Sequence, residues 1–260
     1  MPSYVITGAA KGLGLEFVSQ LSSDAKNTVF ALVRNKSTAT VLKGLPITIL
    51  EADITDVESL KAAASVVAAA TGGKLDYLIN NAGVHDRAKV TLSTYPEDLE
   101  SNLLEYVSSF RVNTIGTLHA TNTFLPLLRA GATKKVVTLS TGAADAGFAT
   151  ALGSPGQAAY AISKAALNMA VTKFAMALKD EGFVFLAISP GLVDTAVGTR
   201  SPEEDEQYKA FWLGFRKVSP NFEGPLTPQI SVKTMLEVID RWTVEETGAF
   251  VSHHGNKEWL

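Results

Sequence analysis

The amino-acid sequence predicts an α/β fold, a doubly wound parallel sheet of about seven strands with helices on both faces. Three observations carry that prediction. Short runs rich in Val, Ile, Leu and Phe alternate with longer helical patterns along most of the 260 residues. Most of these runs are continuously apolar rather than alternating, as strands covered on both faces require. A glycine-rich turn follows the first run and opens the first helix, where sheets of this kind form their ligand crevice.

Strands are expected at Tyr4–Thr7, Thr28–Val33, Ile47–Leu50, Leu75–Ile79, Val136–Leu139, Phe183–Ser189 and Ala249–Val251. After the third, Thr55 and Glu58 form a candidate capping box for a helix over Val57–Thr71, which Gly72 and Gly73 end. Ser154-Pro155-Gly156-Gln157 offers a capping serine, a proline at the first helical position and a glutamine three on. A helix is expected to open there and run to about Lys179. Strands alternating with helices imply right-handed crossovers. The stretch Asp194–Pro228 breaks the rhythm with scattered prolines, an acidic run Glu203–Glu206 and the large apolar residues Phe211, Trp212, Leu213 and Phe215. Within it, Ser201-Pro202-Glu203-Glu204 reads as a helix start. Residues 1–260 are read as one domain with an insertion over about 194–228. Its aromatics either form a lid over the substrate or pack the arm against the body or another subunit.

Composition excludes several classes of function. Apolar residues at 46% with charged ones at 19% describe a globular chain rather than a disordered one. Lys and Arg total 23 against 26 Asp and Glu, so the basic footprint of a nucleic-acid or anionic-membrane binder is missing. With no cysteine there is no disulfide, thiolate zinc site or cysteine nucleophile. The histidines His85, His119, His253 and His254 include no pair four apart, and no metal is expected. The first residues run straight into a strand, leaving no room for a signal peptide. No apolar run approaches the ~20 residues that span a bilayer. A soluble, cytoplasmic protein is expected.

The turn itself reads Thr7-Gly8-Ala9-Ala10-Lys11-Gly12-Leu13-Gly14. Glycines here let the chain turn tightly and bring a helix N-terminus against a pyrophosphate, whose charge the free N–H groups favour. Its G-x3-G-x-G spacing is neither the G-x-G-x-x-G fingerprint nor a Walker loop. Dinucleotide sheets place an acid about 20 residues beyond the glycines for a ribose 2′-hydroxyl, or an arginine nearby for a 2′-phosphate. That distance lands on Arg34, with no acid nearby, and Lys11 adds a second cation. Both point to NADP(H).

Four further elements follow in order: Asp53-Ile54, Asn80-Asn81-Ala82-Gly83, Tyr160-Ala161-Ile162-Ser163-Lys164 and Pro190-Gly191-Leu192-Val193-Asp194-Thr195. With the glycine turn they resemble the classical short-chain dehydrogenase/reductase family over nearly the whole chain. The chain looks most similar to norsolorinic-acid-type ketoreductases and sniffer-type carbonyl reductases. The resemblance implies a Rossmann-like sheet in which Asp53 and Ile54 flank an adenine and Asn81, Ala82 and Gly83 line its ribose. It also implies that Lys164 holds the nicotinamide ribose, and that Val193 and Thr195, on the loop begun by Pro190 and Gly191, meet the carboxamide. Asn113 sits where the family carries a helix irregularity and a water-linked proton relay from Lys164. A homodimer or homotetramer built through the helices containing Asn113 and Tyr160 is implied as well.

The residues also speak for themselves chemically. Tyr160 and Lys164, four apart on a helix, share a face. A phenol of ordinary pKa about 10 is a poor acid–base catalyst. A neighbouring ammonium favours its phenolate and tunes it for proton exchange near neutral pH. A further hydroxyl is expected at the end of the fifth strand. Register with the family favours Thr141, residue type favours Ser140, and alternation lets only one of them face the site. His85-Asp86 is expected to wall the cleft edge or lie on the surface, and His119 to be packed or partly exposed.

These readings converge on reduction of a small-molecule ketone or aldehyde by NADPH. Hydride comes from nicotinamide, Tyr160 gives the proton, and Ser140 or Thr141 steadies the oxygen. An aromatic or polyketide-like carbonyl is suggested by the resemblance alone. A cofactor sensor without chemistry would have no use for the Tyr-Lys pair, and no Gly-x-Ser-x-Gly elbow surrounds Ser140 for hydrolysis.

Overall fold

A computed structural model describes residues 1–85, 92–93, 99–196 and 200–260, without the side chains of 99–102. Asp86, expected at the cleft edge, lies outside the described residues, as do positions 197–199 of the arm.

The strands are β1 (Ser3–Thr7), β2 (Thr28–Val33), β3 (Thr48–Glu51), β4 (Tyr77–Asn80), β5 (Lys135–Leu139), β6 (Val184–Ser189) and β7 (Ala249–Ser252). They pair in parallel in the order β3-β2-β1-β4-β5-β6-β7. Helices α1 (Gly12–Ser22) and α8 (Pro228–Arg241) cover one face; α2 (Val57–Thr71), α4 (Thr117–Ala130) and α6 (Ala158–Leu178) cover the other. Side-chain alternation divides the core between them. Val29, Ala31 and Val33 of β2 pack with Phe17 of α1 and Met235 of α8, while Phe30 and Leu32 pack with Leu60 of α2 and Phe124 of α4. Both faces are therefore buried, which is why the strands read as continuous apolar runs. The strand order reverses between β1 and β4, so a crevice opens above their C-terminal ends.

Two helix starts differ from expectation. Asp56, not Thr55, caps α2, accepting from the Glu58 and Ser59 N–H groups. Thr55 instead donates to Asp53 Oδ1 at 2.8 Å, because an aspartate two residues upstream captures it in a local turn. The segment Ser154–Gln157 is a connection rather than a helix start. A short helix α5 (Ala146–Leu152) ends at left-handed Gly153, and Gln157 is itself left-handed at φ 60°, so α6 begins only at Ala158.

The remaining helical piece, α3 (Leu99–Phe110), passes through a π segment at Arg111–Gly116 into α4. In the arm, α7 (Pro202–Leu213) begins with the expected Ser201–Glu204 capping box. Its aromatics pack mainly on one another: Phe215 and Phe222 are buried, Trp212 meets Phe222 edge-on, and Phe211 stays half-exposed. The turn at Gly214–Lys217 rests against α5. Arg200 clasps Asp194 at 2.5 and 2.8 Å and lies 3.9 Å from the Tyr208 ring, and Leu226 pairs with Val193.

Candidate active site

The glycine turn is built so that no side chain fits. Gly8 and Gly12 have φ of 67° and 57°, in the left-handed region. A Cβ on Gly8 would lie 2.7 Å from the Ala82 Cα, and one on Gly14 would overlap the Asn81 amide and the Gly8 carbonyl. Asn81 holds the turn from below, donating to the Thr7 and Gly8 carbonyls at 2.9 and 3.1 Å. Thr7 Oγ1 accepts from the Asn81 and Ala82 N–H groups in return. Helix α1 starts here with Lys11 as its cap residue and no side-chain cap, so the first N–H groups and the positive end of the helix dipole face the crevice. Leu13 packs partly into the core, and Thr195 faces Gly12 across the opening.

A second cluster lies beyond β4. The π segment turns Asn113 fully inward, where its Oδ1 accepts from Val84 N–H at 2.8 Å. Its Nδ2 donates to the Val84 carbonyl and to Ser163 Oγ, both at 2.9 Å. The buried amide thus pins the chain just after Gly83. A Cβ on Gly83 would lie 3.0 Å from Asn113 Oδ1 and 3.5 Å from Lys164 Nζ, so these three groups meet. The His85 ring lies 4.5 Å from the Tyr160 ring, tilted 51° to it. His85 is exposed beside Tyr160, a position that suits both the cleft edge and the surface expected of it.

The alternation of β5 separates the two candidate hydroxyls. Ser140 is buried and donates to Asn168 Oδ1 at 2.6 Å, on the inner side. Thr141 lies on the Tyr160 side, close enough to lower the phenol slightly, and accepts from Ala143 N–H. Lys164 is buried one turn beyond Tyr160, its Nζ donating to the Leu139 carbonyl at 2.7 Å and lying 6.0 Å from the phenol ring. Loss of water pushes the Lys164 pKa down to about 8. It pushes the Tyr160 phenol up to about 12, although part of the ring remains open to the cleft, and Thr141 pulls weakly the other way. Sequence reasoning expected Lys164 to lower the phenol toward neutrality. The direction in this structure is upward, with burial as its largest cause.

Short chain dehydrogenase is the family whose profile matches residues 3–206. The chain belongs to that family. The short chain dehydrogenase virK of Hypocrea virens is 45% identical over the full length of both chains, and the short-chain dehydrogenase/reductase AacuF of Aspergillus aculeatus is 41% identical over the same extent. Among solved structures, the crystal structure of NADPH-bound carbonyl reductase from chicken fatty liver superposes with a TM-score of 0.80 at 27% identity, covering 98% of each chain. The chain is thus an oxidoreductase of the short-chain dehydrogenase type with a Rossmann-like sheet.

In this short-chain dehydrogenase the other expected site residues behave unevenly. Arg34 and Lys11 are exposed at the mouth of the crevice. The fold also brings in an acid that linear spacing misses: Glu51, at the end of β3, accepts from Lys36 N–H at 2.8 Å. Asp53 is half-buried and folds its Oδ1 back onto Thr55. Ile54 turns inward, against Gly116 of the π segment. Pro190 accepts from Ser231 Oγ at 2.7 Å, and Gly191 takes a φ of 81° above the buried His253 ring. Residues that sequence reasoning passed over include Asn168, Ser163 and Trp259, which support the site from behind and carry no motif of their own. Among the described residues no group of His, Asp and Glu could hold a metal, and no helix is long and apolar enough to cross a membrane.

Proposed function

We propose that this protein reduces a ketone or aldehyde to an alcohol with NADPH. The observation that carries the reading is the half-buried Tyr160 phenol, set beside Thr141 and backed by the buried Lys164, with an uncapped helix N-terminus at the crevice. The residues present suit a dinucleotide. Gly8 and Gly14 let the turn close tightly on Ala82 and Asn81, and the α1 N–H groups are free of a side-chain cap for a pyrophosphate. Gly8, Lys11, Gly12, Leu13 and Gly14 would hold that pyrophosphate, Asp53, Ala82 and Gly83 the adenosine side, and Lys164, Val193 and Thr195 the nicotinamide side. When bound, the nicotinamide supplies the hydride.

The chain's own residues supply the rest. A carbonyl oxygen received between Thr141 and Tyr160 is oriented by two hydroxyls, and the protonated phenol neutralises charge as it develops there. A phenol held near 12 keeps its proton at neutral pH, which suits the donor half of a reduction. Lys164 restores the proton from the buried side, with Asn113 fixing the segment past Gly83 against which both pack. Arg34 and Lys11 favour a 2′-phosphate over a free hydroxyl, since Glu51 is engaged by the Lys36 backbone. The NADPH seen in the chicken carbonyl reductase supports the same choice. Exposed Val107, Phe110, Ile162 and Met169 form an apolar strip on neighbouring α3 and α6, which suits a homodimer.

The test is consumption of NADPH and NADH across a panel of aromatic, aliphatic and cyclic ketones and aldehydes. Turnover with NADPH supports the reading; absence of turnover with every carbonyl overturns it. Arg34→Asp is expected to shift preference toward NADH, and undiminished NADPH preference would remove Arg34 from the 2′-phosphate.

A further inference from the structure

Two glycines stand directly behind the site, and both rest on side chains of one C-terminal segment. Gly142 follows Thr141. A Cβ there would lie 2.9 Å from Trp259 Cβ and 3.3 Å from Phe148, and its N–H donates to Ser189 Oγ at 3.0 Å. Gly191 opens the loop leading to Val193 and Thr195. A Cβ there would lie 2.8 Å from the His253 ring. Both supports are buried, Trp259 at 6% exposure and His253 at 2%. Neither belongs to any motif, and neither touches the phenol.

The segment between them is rigid by its own bonding. Ser252 N–H donates to the Asn256 carbonyl, Gly255 N–H to the Ser252 carbonyl, and Ser252 Oγ to Asn256 Oδ1. Arg241 ties the His254 carbonyl to the end of α8. Trp259 stacks on Phe250 of β7 with ring centres 4.5 Å apart, and Lys257 lies 5.0 and 5.1 Å from the two rings. A buried indole against a glycine restrains the Thr141 backbone, because Thr141 is joined to that glycine through a single planar peptide bond. The left-handed Gly191 is the position where only a residue without a Cβ can lie flat on an imidazole.

We infer that residues 253–259 position both halves of the site, Trp259 holding Thr141 at Tyr160 through Gly142, and His253 holding the Gly191 loop. The inference rests on the proposed reduction, in which Thr141 and Tyr160 take the carbonyl and the Gly191 loop meets the dinucleotide.

The two contacts predict separable effects. In the full chain, Trp259→Ala is expected to lower kcat for a carbonyl substrate about ten- to a hundredfold by misplacing the hydroxyl, with Kd for NADPH within about twofold of wild type. Trp259→Phe, which keeps a ring on Phe250, restores most of kcat. In the cofactor-free protein, the Ala143, Ala144 and Asp145 amides exchange about tenfold faster in Trp259→Ala. His253→Ala is expected to raise Kd for NADPH about tenfold while leaving those amides at their wild-type rates. Parallel losses of kcat, NADPH affinity and melting temperature in both variants would overturn the inference, as would no change in either. If Trp259→Ala does not fold, Trp259→Leu is read in its place with the same outcomes. If wild-type protein turns over no carbonyl, the proposed reaction fails, and the inference stands or falls on amide exchange and NADPH affinity alone.

Discussion

Lys164→Met isolates the cost of burying an ammonium where the chemistry needs one. Lys164 is 4% exposed, and burial lowers its pKa from 10.5 to about 8. That difference corresponds to about 3 kcal/mol of folding stability. The sign follows from proton binding. Between pH 8 and 10.5 the unfolded chain still holds a proton that the folded chain has released, so wild-type stability rises with pH across this window. Below pH 8 both states are protonated and the whole penalty remains. Methionine carries no such penalty at any pH, but it leaves the Leu139 carbonyl without its donor, a pH-independent loss of about 1–3 kcal/mol. Stability of Lys164→Met relative to wild type is therefore expected to fall by about 3 kcal/mol between pH 7 and 10.5, equivalent to roughly 6–12 °C in melting temperature for a chain of this size. Urea titrations of both proteins at pH 7, 9 and 10.5 measure it, with contributions from other groups cancelling in the difference. A difference that stays flat over this range would show that Lys164 keeps the pKa of a hydrated lysine in the fold and that burial does not depress it. The variant is expected to lose turnover throughout.

Three other outcomes follow from the same geometry. Thr141→Val removes the hydroxyl at Tyr160 and should slow turnover roughly a hundredfold. Ser140→Ala breaks only the bond to Asn168 and should cost about 1 kcal/mol of stability with turnover kept; the reverse pattern would reassign the carbonyl-orienting residue. His253, held near pKa 4 by burial and then by neighbouring His254, is neutral in the fold. Its folded pKa lies below the unfolded value of 6.5, so up to about 3 kcal/mol of stability is lost as pH falls from 6.5 to 4. That acid limb should shrink in His253→Phe, as followed by thermal melts; an unchanged limb would mean that His253 takes up its proton as readily in the fold as in the unfolded chain.

Much of this was legible before any coordinates, for physical reasons. The strands announce themselves because both sheet faces are buried, so β2 and β6 carry almost no polar residue to blur the pattern. The glycine turn is legible because Gly8 and Gly14 answer to steric demands that tolerate no substitute. The capping errors arose where two polar residues compete: Asp56 and Thr55 both suit a cap, and only the Asp53 carboxylate, folded back on Thr55, decides between them. Glu51 escaped notice because strand pairing, not chain distance, brings it to Lys36. The upward push of burial on Tyr160 was not legible because an i, i+4 spacing reveals a neighbouring charge but not the surrounding desolvation. Sequence leaned to Thr141 by register with the family; the end of β5 sends Ser140 toward Asn168 and Thr141 to the Tyr160 side.

The account turns on the Tyr160 hydroxyl as the proton donor to the carbonyl oxygen. Tyr160→Phe deletes that one atom, and its NADPH affinity and its turnover of a ketone accepted by wild type can be measured side by side. Unchanged NADPH affinity with turnover reduced by several orders of magnitude is the predicted result. Turnover close to wild type, with NADPH bound equally well, would contradict the account, because the proton would then come from elsewhere.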